Sequence, residues 1–560
     1  MKRVGIAVLV AVVGGLAGLP VASATPGPRL SGDVIMLPNL DDDTRRCRVE
    51  PADLDALGFE ADERMAACND AADEVVNGRA DERDLARVEV RPQPGVGRNA
   101  TGVLSVAGRA RVFVQRDRDW VVADSLSAAE LRRGVRLGVE GRDVIRPDWD
   151  GSVTITLTVT DRGQVSSVSH RMRVAPLLLQ NDLQRATTMF AGKPGEGLGR
   201  PENWQWMTSW EPHDWEPFSA DLDRAAGSTD TRYVPGTSTW WQDVWWQDLF
   251  EPMTASTPNQ TMRVMVRSAN IWEIDGVRTP RPAGRQVFNA LRGPDVAVVQ
   301  EWSDDGRDAL VDLRNATGNI ESLPPYRGYP QGRLVYGTDP DGPFRPDPAF
   351  MGLLESQGEQ PAVVVDTSWL LVGHADETMH VVRANNSRGW TLMVADPRLA
   401  LAELDSARGK EFYPGTAQAR PVDTLLADPK FLADNAEAAS HIEAQTAIML
   451  RETGLRASEL VRVPVLFHKP ESIGLFLAYS PGIPNGISFD ERTFAAPDPH
   501  GPVVDGRDIF QVATERALRG NGVRVRWVED LGWAHYGGGE VHCTTNAWRD
   551  TSGQRPWWND

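Results

Sequence analysis

The spacing of apolar residues changes period near residue 180, and this limits the folds open to the chain more than any single motif. Before it, "VRLGVEG", "GSVTITLTVTD" and "SVSHRMRVAPLLL" alternate apolar and polar residues, are rich in β-branched types and are separated by turn residues. A period of two puts every second side chain on one face, so these runs predict strands with one buried face and an all-β sandwich over residues 33–179. After "NDLQRATT", short apolar runs such as "PAVVVD" and "WTLMVAD" alternate with helical stretches such as "AEAASHIEAQTAIMLRETGL". That texture predicts α/β structure over residues 180–560. A chain of 560 residues exceeds one ordinary core, which agrees with two or three domains.

The first residues read differently. Met1-Lys2-Arg3, an apolar run over residues 5–21 and Ala22-Ser23-Ala24 form the basic, apolar and small-x-small regions of a secretory signal peptide cut after Ala24. An uncleaved anchor is the alternative. Residues 25–32 are Pro/Gly-rich and predicted to be a disordered linker. No later stretch approaches the ~18 apolar residues of a membrane span, so an exported, soluble protein without membrane insertion is expected. The net charge of -19 argues against nucleic acid, whose phosphates need clustered Lys and Arg. It favours cationic ligands such as arginine-bearing peptides, without naming a reaction.

Export gives weight to the three cysteines. Cys47 and Cys68 lie close together in one acidic segment and are able to pair in an oxidising compartment. Cys543 is then the odd thiol. It stands in "GEVHCTTNAW", after His542 and behind Gly537, Gly538 and Gly539, where a core thiol or a nucleophile both fit; a nucleophile needs a cationic neighbour or hydrogen-bond donors to form thiolate. In "LLVGHADET", His374 and Asp376 are two apart after an apolar run, which on a continuing strand would turn both into one pocket. "TWWQDVWWQD" repeats WWQD at 240–243 and 245–248 and sets a carboxylate among aromatics. Two carboxylates with a flat aromatic wall suit a guanidinium. Each feature also has a structural reading: a packed thiol, a chance H-x-D, a tryptophan core. No G-x-S-x-G, H-E-x-x-H or C-x-x-C supports a serine hydrolase or a zinc site. The acidic stretches "PNLDDDTRRC" and "CNDAADE" offer crowded oxygen ligands suited to Ca²⁺, or form a solvated loop.

Taken in order, "GGGEVHCTTN", "DTSWLLVGHADE", "WWQDLFE", "RGPDVAVVQ", "GNIESLPP", "GRLVYGTDP" and "RVAPLLL" resemble the protein-arginine deiminases, over a span from about Asp33 to "PWWND". The resemblance implies an immunoglobulin-like β-sandwich followed by a five-bladed, pentein-like α/β propeller; the first immunoglobulin-like domain of the animal enzymes has no counterpart. It implies Cys543 as nucleophile, His374 as general acid/base, and Asp376 and Asp248 as the guanidinium clamp. Asp248 is chosen over Asp243 because Glu251 follows it three residues on, where Trp246 follows Asp243. Trp245, Val372 and Arg281 are implied to contact the substrate, Arg281 at its peptide backbone.

The family's main calcium site maps onto Gln247, Glu251, Thr317, Ile320 and Glu321, with Thr317 and Ile320 offering backbone oxygens. A neighbouring site lacks a ligand, since Leu249 stands where a glutamate is expected. A further cluster maps onto Asn39, Asp41, Asp43, Asp70 and Asp84, with Ala67 and Arg87 replacing expected acids. The expected activity is calcium-dependent conversion of peptidyl-arginine to citrulline in arginine-containing proteins or peptides. Deimination of free agmatine or arginine is the alternative within the fold, and a catalytically silent secreted calcium-binding module the alternative outside it.

Overall fold

The computed structural model describes residues 27–195, 214–236, 243–304, 306 and 312–559. The expected signal peptide and Trp240, Trp241 and Gln242 lie outside them.

The first half carries two five-stranded sheets around one core. Leu30–Gly32, Ala86–Val90, Val135–Gly141, Ala110–Arg116 and Asp119–Val122 form one sheet in that spatial order. Ile35–Met36, Gln164–Val174, Ser152–Asp161, Thr101–Ala107 and Ser125–Ser127 form the other. The period-two reading holds side chain by side chain: Val153, Ile155, Leu157 and Val159 are buried while the threonines between them face outward. Those four meet Val88, Val114, Leu137 and Val139 of the first sheet. Truncating a core residue such as Leu137 to alanine would cost about 2–5 kcal/mol.

Three boundaries move. Leu30 pairs with Val90, so a strand begins inside the segment expected to be a disordered linker. Leu177–Leu179 pairs antiparallel with Phe250–Ser256 of the second half, so the sandwich closes at Val174 rather than at 179. Residues 37–85 are not strands. They form loops and the short helices Pro51–Leu54, Glu60–Ala67 and Arg79–Asp84, because their acidic, alanine-rich composition lacks β-branched alternation. Cys47 and Cys68 are joined by a disulfide across this segment. Buried arginines of the second half clamp it: Arg292 donates to the carbonyls of Met65, Cys68 and Cys47, and Arg285 pairs with Asp62.

The second half repeats one pattern, an antiparallel hairpin whose second strand pairs in parallel with a third. Phe250–Ser256, Thr261–Arg267 and Val296–Val299 make one such unit. Ile320–Leu323, Arg333–Thr338 and Val363–Asp366 make another. Met379–Arg383, Trp390–Asp396 and Val461–Pro464 repeat it, as do Ile487–Asp490, Thr493–Pro497 and Arg524–Val528. The fifth joins the two ends of the half: Thr545–Arg549 pairs antiparallel with Ala186–Lys193, which runs parallel to Asp230–Pro235. This last pairing ties the Cys543 loop to the strand that opens the half. A parallel partner requires a crossover, and helices supply most of them. The longest, Pro429–Thr453, starts on the Asp428 side chain, which accepts from the Lys430 and Phe431 amides, and ends at Gly454 in the left-handed region. No helix among the described residues is long and apolar enough to cross a membrane.

Candidate active site

Four short segments meet in the second half, each held by backbone contacts to the next. Cys543 follows the glycine run, and its amide donates to Asn485 Oδ1 at 3.2 Å while the His542 amide donates to the Asn485 carbonyl at 3.0 Å. The turn Trp246–Asp248 sits against it, the Gln247 amide donating to the Cys543 carbonyl at 3.1 Å. Thr317 Oγ1 donates to the Gln247 carbonyl at 2.6 Å and brings in the Thr317–Asn319 turn. Gly539 has to be glycine for close approach: a Cβ there would lie 2.5 Å from the Trp245 ring and 3.1 Å from Cys543 Cβ.

His374 and Asp376 are not on a strand. Arg314, only 1% exposed, gathers the carbonyls of Leu370, Leu371 and Val372. Three successive carbonyls on one guanidinium are incompatible with strand alternation, and Gly373 at φ +77 turns the chain. His374 then opens the short turn Ala375–Glu377, its amide donating to Glu377 Oε1 at 2.8 Å. The expected common pocket is reached from two sides instead. His374 looks toward Asp248, and Asp376 lies behind Cys543.

A cavity of about 890 Å³ is lined by Cys543, Asp248, His374, Trp245, Val372 and Arg281 and extends onto Phe467, Ile473, Leu477 and Tyr479. His374 Nε2 lies 2.9 Å from the Leu313 carbonyl and so donates its proton there, which leaves Nδ1 for chemistry. That Nδ1 stands 3.8 Å from Asp248 Oδ1. The Cys543 thiol points at Asp376 Oδ2 over 3.8 Å, and the same oxygen accepts from His542 Nδ1 at 2.8 Å. Burial, then the negative charges of Asp376 and Asp248, push the Cys543 thiol well above its ordinary value. These surroundings favour the thiol, and a cation placed between the carboxylates would favour thiolate.

Arg281 departs from expectation. It borders the cavity but is 3% exposed, with its guanidinium committed to Asp243 and Asp248. A side chain so engaged is not available to a peptide backbone. Asp243, passed over in choosing between the WWQD copies, is thus part of the site, and the duplication itself was the signal for it. His542 and Asn485 were also missed; only the adjacency of His542 to Cys543 pointed to either.

The residues expected to hold calcium fall into two groups. A second, small cavity of about 40 Å³ is lined by Gln247, Glu251, Ile320 and Glu321, together with Asp182, His542 and Arg549. Burial pushes Glu251 and Glu321 well above the ordinary carboxylate range, and Asp182 adds to it. Glu321 Oε1 has no hydrogen-bond partner among the described residues. Thr317 is not on this wall; the Ile320 amide already donates to its carbonyl. In the sandwich half, Asp41, Asp43 and Asp70 bring carboxylate oxygens within 4.8 Å of one another. Buried oxygens of Asn39, Asp41, Asp43 and Asp84 lack hydrogen-bond partners among the described residues, and Asp70 Oδ1 has the Arg46 ion pair at 3.3 Å. Burial, then its acidic neighbours, push Asp41 up to about 9, and Asp84 likewise reaches about 8. Asp295, from the second half, joins this cluster through its amide on Asp41 Oδ2 at 2.9 Å. Sequence distance hid it. Crowded carboxylate oxygens, several without a hydrogen-bond partner among the described residues, fit a hard divalent cation in both places.

A family model described as protein-arginine deiminase (PAD) matches residues 165–559. Protein-arginine deiminase type-1 of Mus musculus is 25% identical over 455 residues, 76% of this chain and 63% of that protein. The type-4 enzyme of Homo sapiens is 28% identical over 297 residues, 50% of this chain and 44% of that protein. The chain thus matches less than two thirds of the length of these curated relatives. Among solved structures, an agmatine deiminase of Enterococcus faecalis aligns at 11% identity and a TM-score of 0.40, over 67% of this chain and 96% of that one. With the family model spanning well over half of its residues, the chain belongs to the protein-arginine deiminase family.

Proposed function

We propose that this protein hydrolyses the guanidinium of peptidyl-arginine to citrulline and ammonia. The observation that carries the reading is the convergence of Cys543, His374 Nδ1 and Asp248 Oδ1 on one cavity, with Asp376 against the thiol. The substrate guanidinium lies between Asp248 and Asp376, its methylene stem along Trp245. Its charge compensates the two carboxylates and favours the thiolate. The Cys543 sulfur adds to the central carbon as its proton passes by way of His374 Nδ1 to one terminal nitrogen, and the C–N bond breaks to release ammonia. The covalent thiouronium is attacked by a water whose proton passes to His374; the C–S bond then breaks, giving citrulline and the free thiol. The neutral product loses the charge attraction of both carboxylates and leaves.

The peptidyl substrate is favoured over agmatine by the size of the cavity, which lies at the upper end of the range for drug-sized ligands and continues onto apolar and aromatic side chains. We assign the second half the five-bladed propeller of the family and the first half its immunoglobulin-like sandwich, which the fivefold strand pattern and the two facing sheets support. Calcium is part of the proposal. Gln247, Glu251, Glu321 and the Ile320 carbonyl would hold it beside Asp248, and Asn39, Asp41, Asp43, Asp70 and Asp84 would hold it in the sandwich. Bound there, it would neutralise the crowded acids and fix the turn carrying Asp248. Secretion is likewise proposed, from the leader-like first 24 residues.

The test is citrulline release from a blocked arginine ester and from agmatine, with calcium and with chelator, beside Cys543→Ala. Release from the ester, lost in the variant and in chelator, supports the proposal. Turnover of agmatine alone would replace the substrate, and equal activity in chelator would remove the metal.

A further inference from the structure

We propose that Asp243 is a positioning residue that holds Arg281 off Asp248, so that Asp248 stays open to an external guanidinium; the substrate class rests on the deiminase reading. The WWQD near-repeat supplies two carboxylates five residues apart, and both end on one guanidinium. Arg281 Nε donates to Asp243 Oδ2 at 2.6 Å and Nη2 to Asp243 Oδ1 at 2.8 Å, the parallel fork that matches guanidinium to carboxylate. Only Nη1 remains. It donates to Asp248 Oδ2 at 2.9 Å and to Asn270 Oδ1 at 3.3 Å. The Trp272 ring covers the guanidinium at 5.2 Å. Asp248 is thus pinned by one oxygen, while Oδ1 has no partner among the described residues and faces His374.

The two carboxylates compete for a single planar fork. With Asp243 charged, the fork closes on it, and Asp248 receives one N–H. With Asp243 neutral, the best remaining partner for the fork is Asp248. A resident guanidinium paired twice with Asp248 would occupy the oxygens that an incoming arginine needs. Asp243 Oδ1 also accepts from the Trp245 amide at 3.0 Å, so the same carboxylate sets the start of the turn that carries the aromatic wall.

The experiment measures binding of a blocked arginine peptide to the Cys543→Ala protein by calorimetry, beside kcat and KM in proteins that keep Cys543. D243N is expected to weaken binding by about tenfold or more, seen in turnover as a raised KM with a smaller change in kcat. D243E, with the charge kept, should stay within roughly threefold. D243N/R281Q, in which the competitor is gone, should recover most of the loss. Unchanged binding in D243N, or a double variant as weak as the single, overturns the proposal. Should D243N fail to fold by near-UV circular dichroism, the double variant, with two amides replacing the ion pair, carries the test alone. Binding within about threefold of the parent then supports the proposal, and a loss of about tenfold or more overturns it. Peptide bound without citrulline formed would sink the reaction and leave this inference standing, because the binding arm needs no turnover. A Cys543→Ala protein that binds no guanidinium peptide overturns both.

Discussion

Asp248 Oδ1 stands 3.8 Å from His374 Nδ1, and neither atom has a hydrogen-bond partner among the described residues. Two polar atoms buried this way and left unpaired each carry a cost that a bound group can relieve. Gly318 lies against the gap between them. A Cβ there would come within 2.7 Å of His374 Nδ1 and 2.8 Å of Asp248 Oδ1. Gly318→Ala is therefore expected to push the pair apart and lower kcat/KM by roughly 10- to 100-fold. The backbone there needs no left-handed φ, so the cost to stability is limited to crowding this buried pair, about 1–3 kcal/mol. An alanine variant with full activity would show that the gap is not where the reacting group sits.

The Cys543 thiol predicts a pH dependence of its own. Burial raises it well above the ordinary thiol value, and Asp376 and Asp248 raise it further. In the ligand-free protein the reactive thiolate is then a small fraction at neutral pH, growing about tenfold with each pH unit. Alkylation by iodoacetamide should accordingly climb without a plateau between about pH 7 and pH 9. A rate that is flat across that interval would mean that the free enzyme already holds a thiolate. The proposed role of the substrate charge would then fall.

The acidic cluster of the sandwich links pH to stability with a definite sign. Asp41 and Asp84 are pushed up to about 9 and about 8, and Asp43 and Asp70 to about 6, in each case chiefly by burial. All four lie above the unfolded carboxylate value of 3.8, so the folded protein holds protons that the unfolded chain has released. Stability from these groups is complete below about pH 4 and is lost as pH rises through about 9. In chelator the melting temperature should fall by roughly 5 °C or more between about pH 5 and pH 9. Added calcium should flatten the decline, because the ion replaces the missing protons. Parallel curves with and without calcium would remove metal from this cluster.

What could be read from sequence divides along physical lines. Period-two alternation located Ser152–Asp161 and Gln164–Val174, and the helical texture of residues 436–455 located most of Pro429–Thr453, because both signals are local; the Asp428 cap and the first turn were not read. The segment around Cys47 and Cys68 was legible as an acidic loop, but its short helices and its anchoring were not, because they depend on distant partners. Arg285 and Arg292 hold it from more than 200 residues away. Cys543, His374 and Asp248 were named from motif order, yet their orientations were not. The strand expected under His374 and Asp376 fails because Arg314, in another segment, takes the carbonyls that a strand would have alternated. Asp243 and Asp295 escaped for the same reason: a buried charge acquires meaning from the partner the fold delivers, and that partner is nowhere near in sequence.

The small cavity lined by His542 gives the last prediction. Glu251 and Glu321 both face it, and burial raises both far above ordinary glutamates, with Asp182 raising each further. Without metal, these side chains hold their protons to higher pH than ordinary glutamates. A calcium ion seated among Gln247, Glu251 and Glu321 requires carboxylates, so binding must expel those protons into solution. Calorimetry in two buffers of different ionisation enthalpy should report proton release for this site at pH 7, beyond that of the sandwich cluster. Glu251→Gln keeps the shape but removes one proton and one ligand charge. It should cut that release and weaken calcium affinity by roughly tenfold or more, leaving the pH-dependent melting of the sandwich unchanged. The apparent affinity of the parent protein should rise with pH for the same reason, since hydroxide removes the competitor. Calcium binding that releases no protons at pH 7 would place the ion elsewhere, and Glu321 Oε1 would then need another explanation for having no hydrogen-bond partner among the described residues.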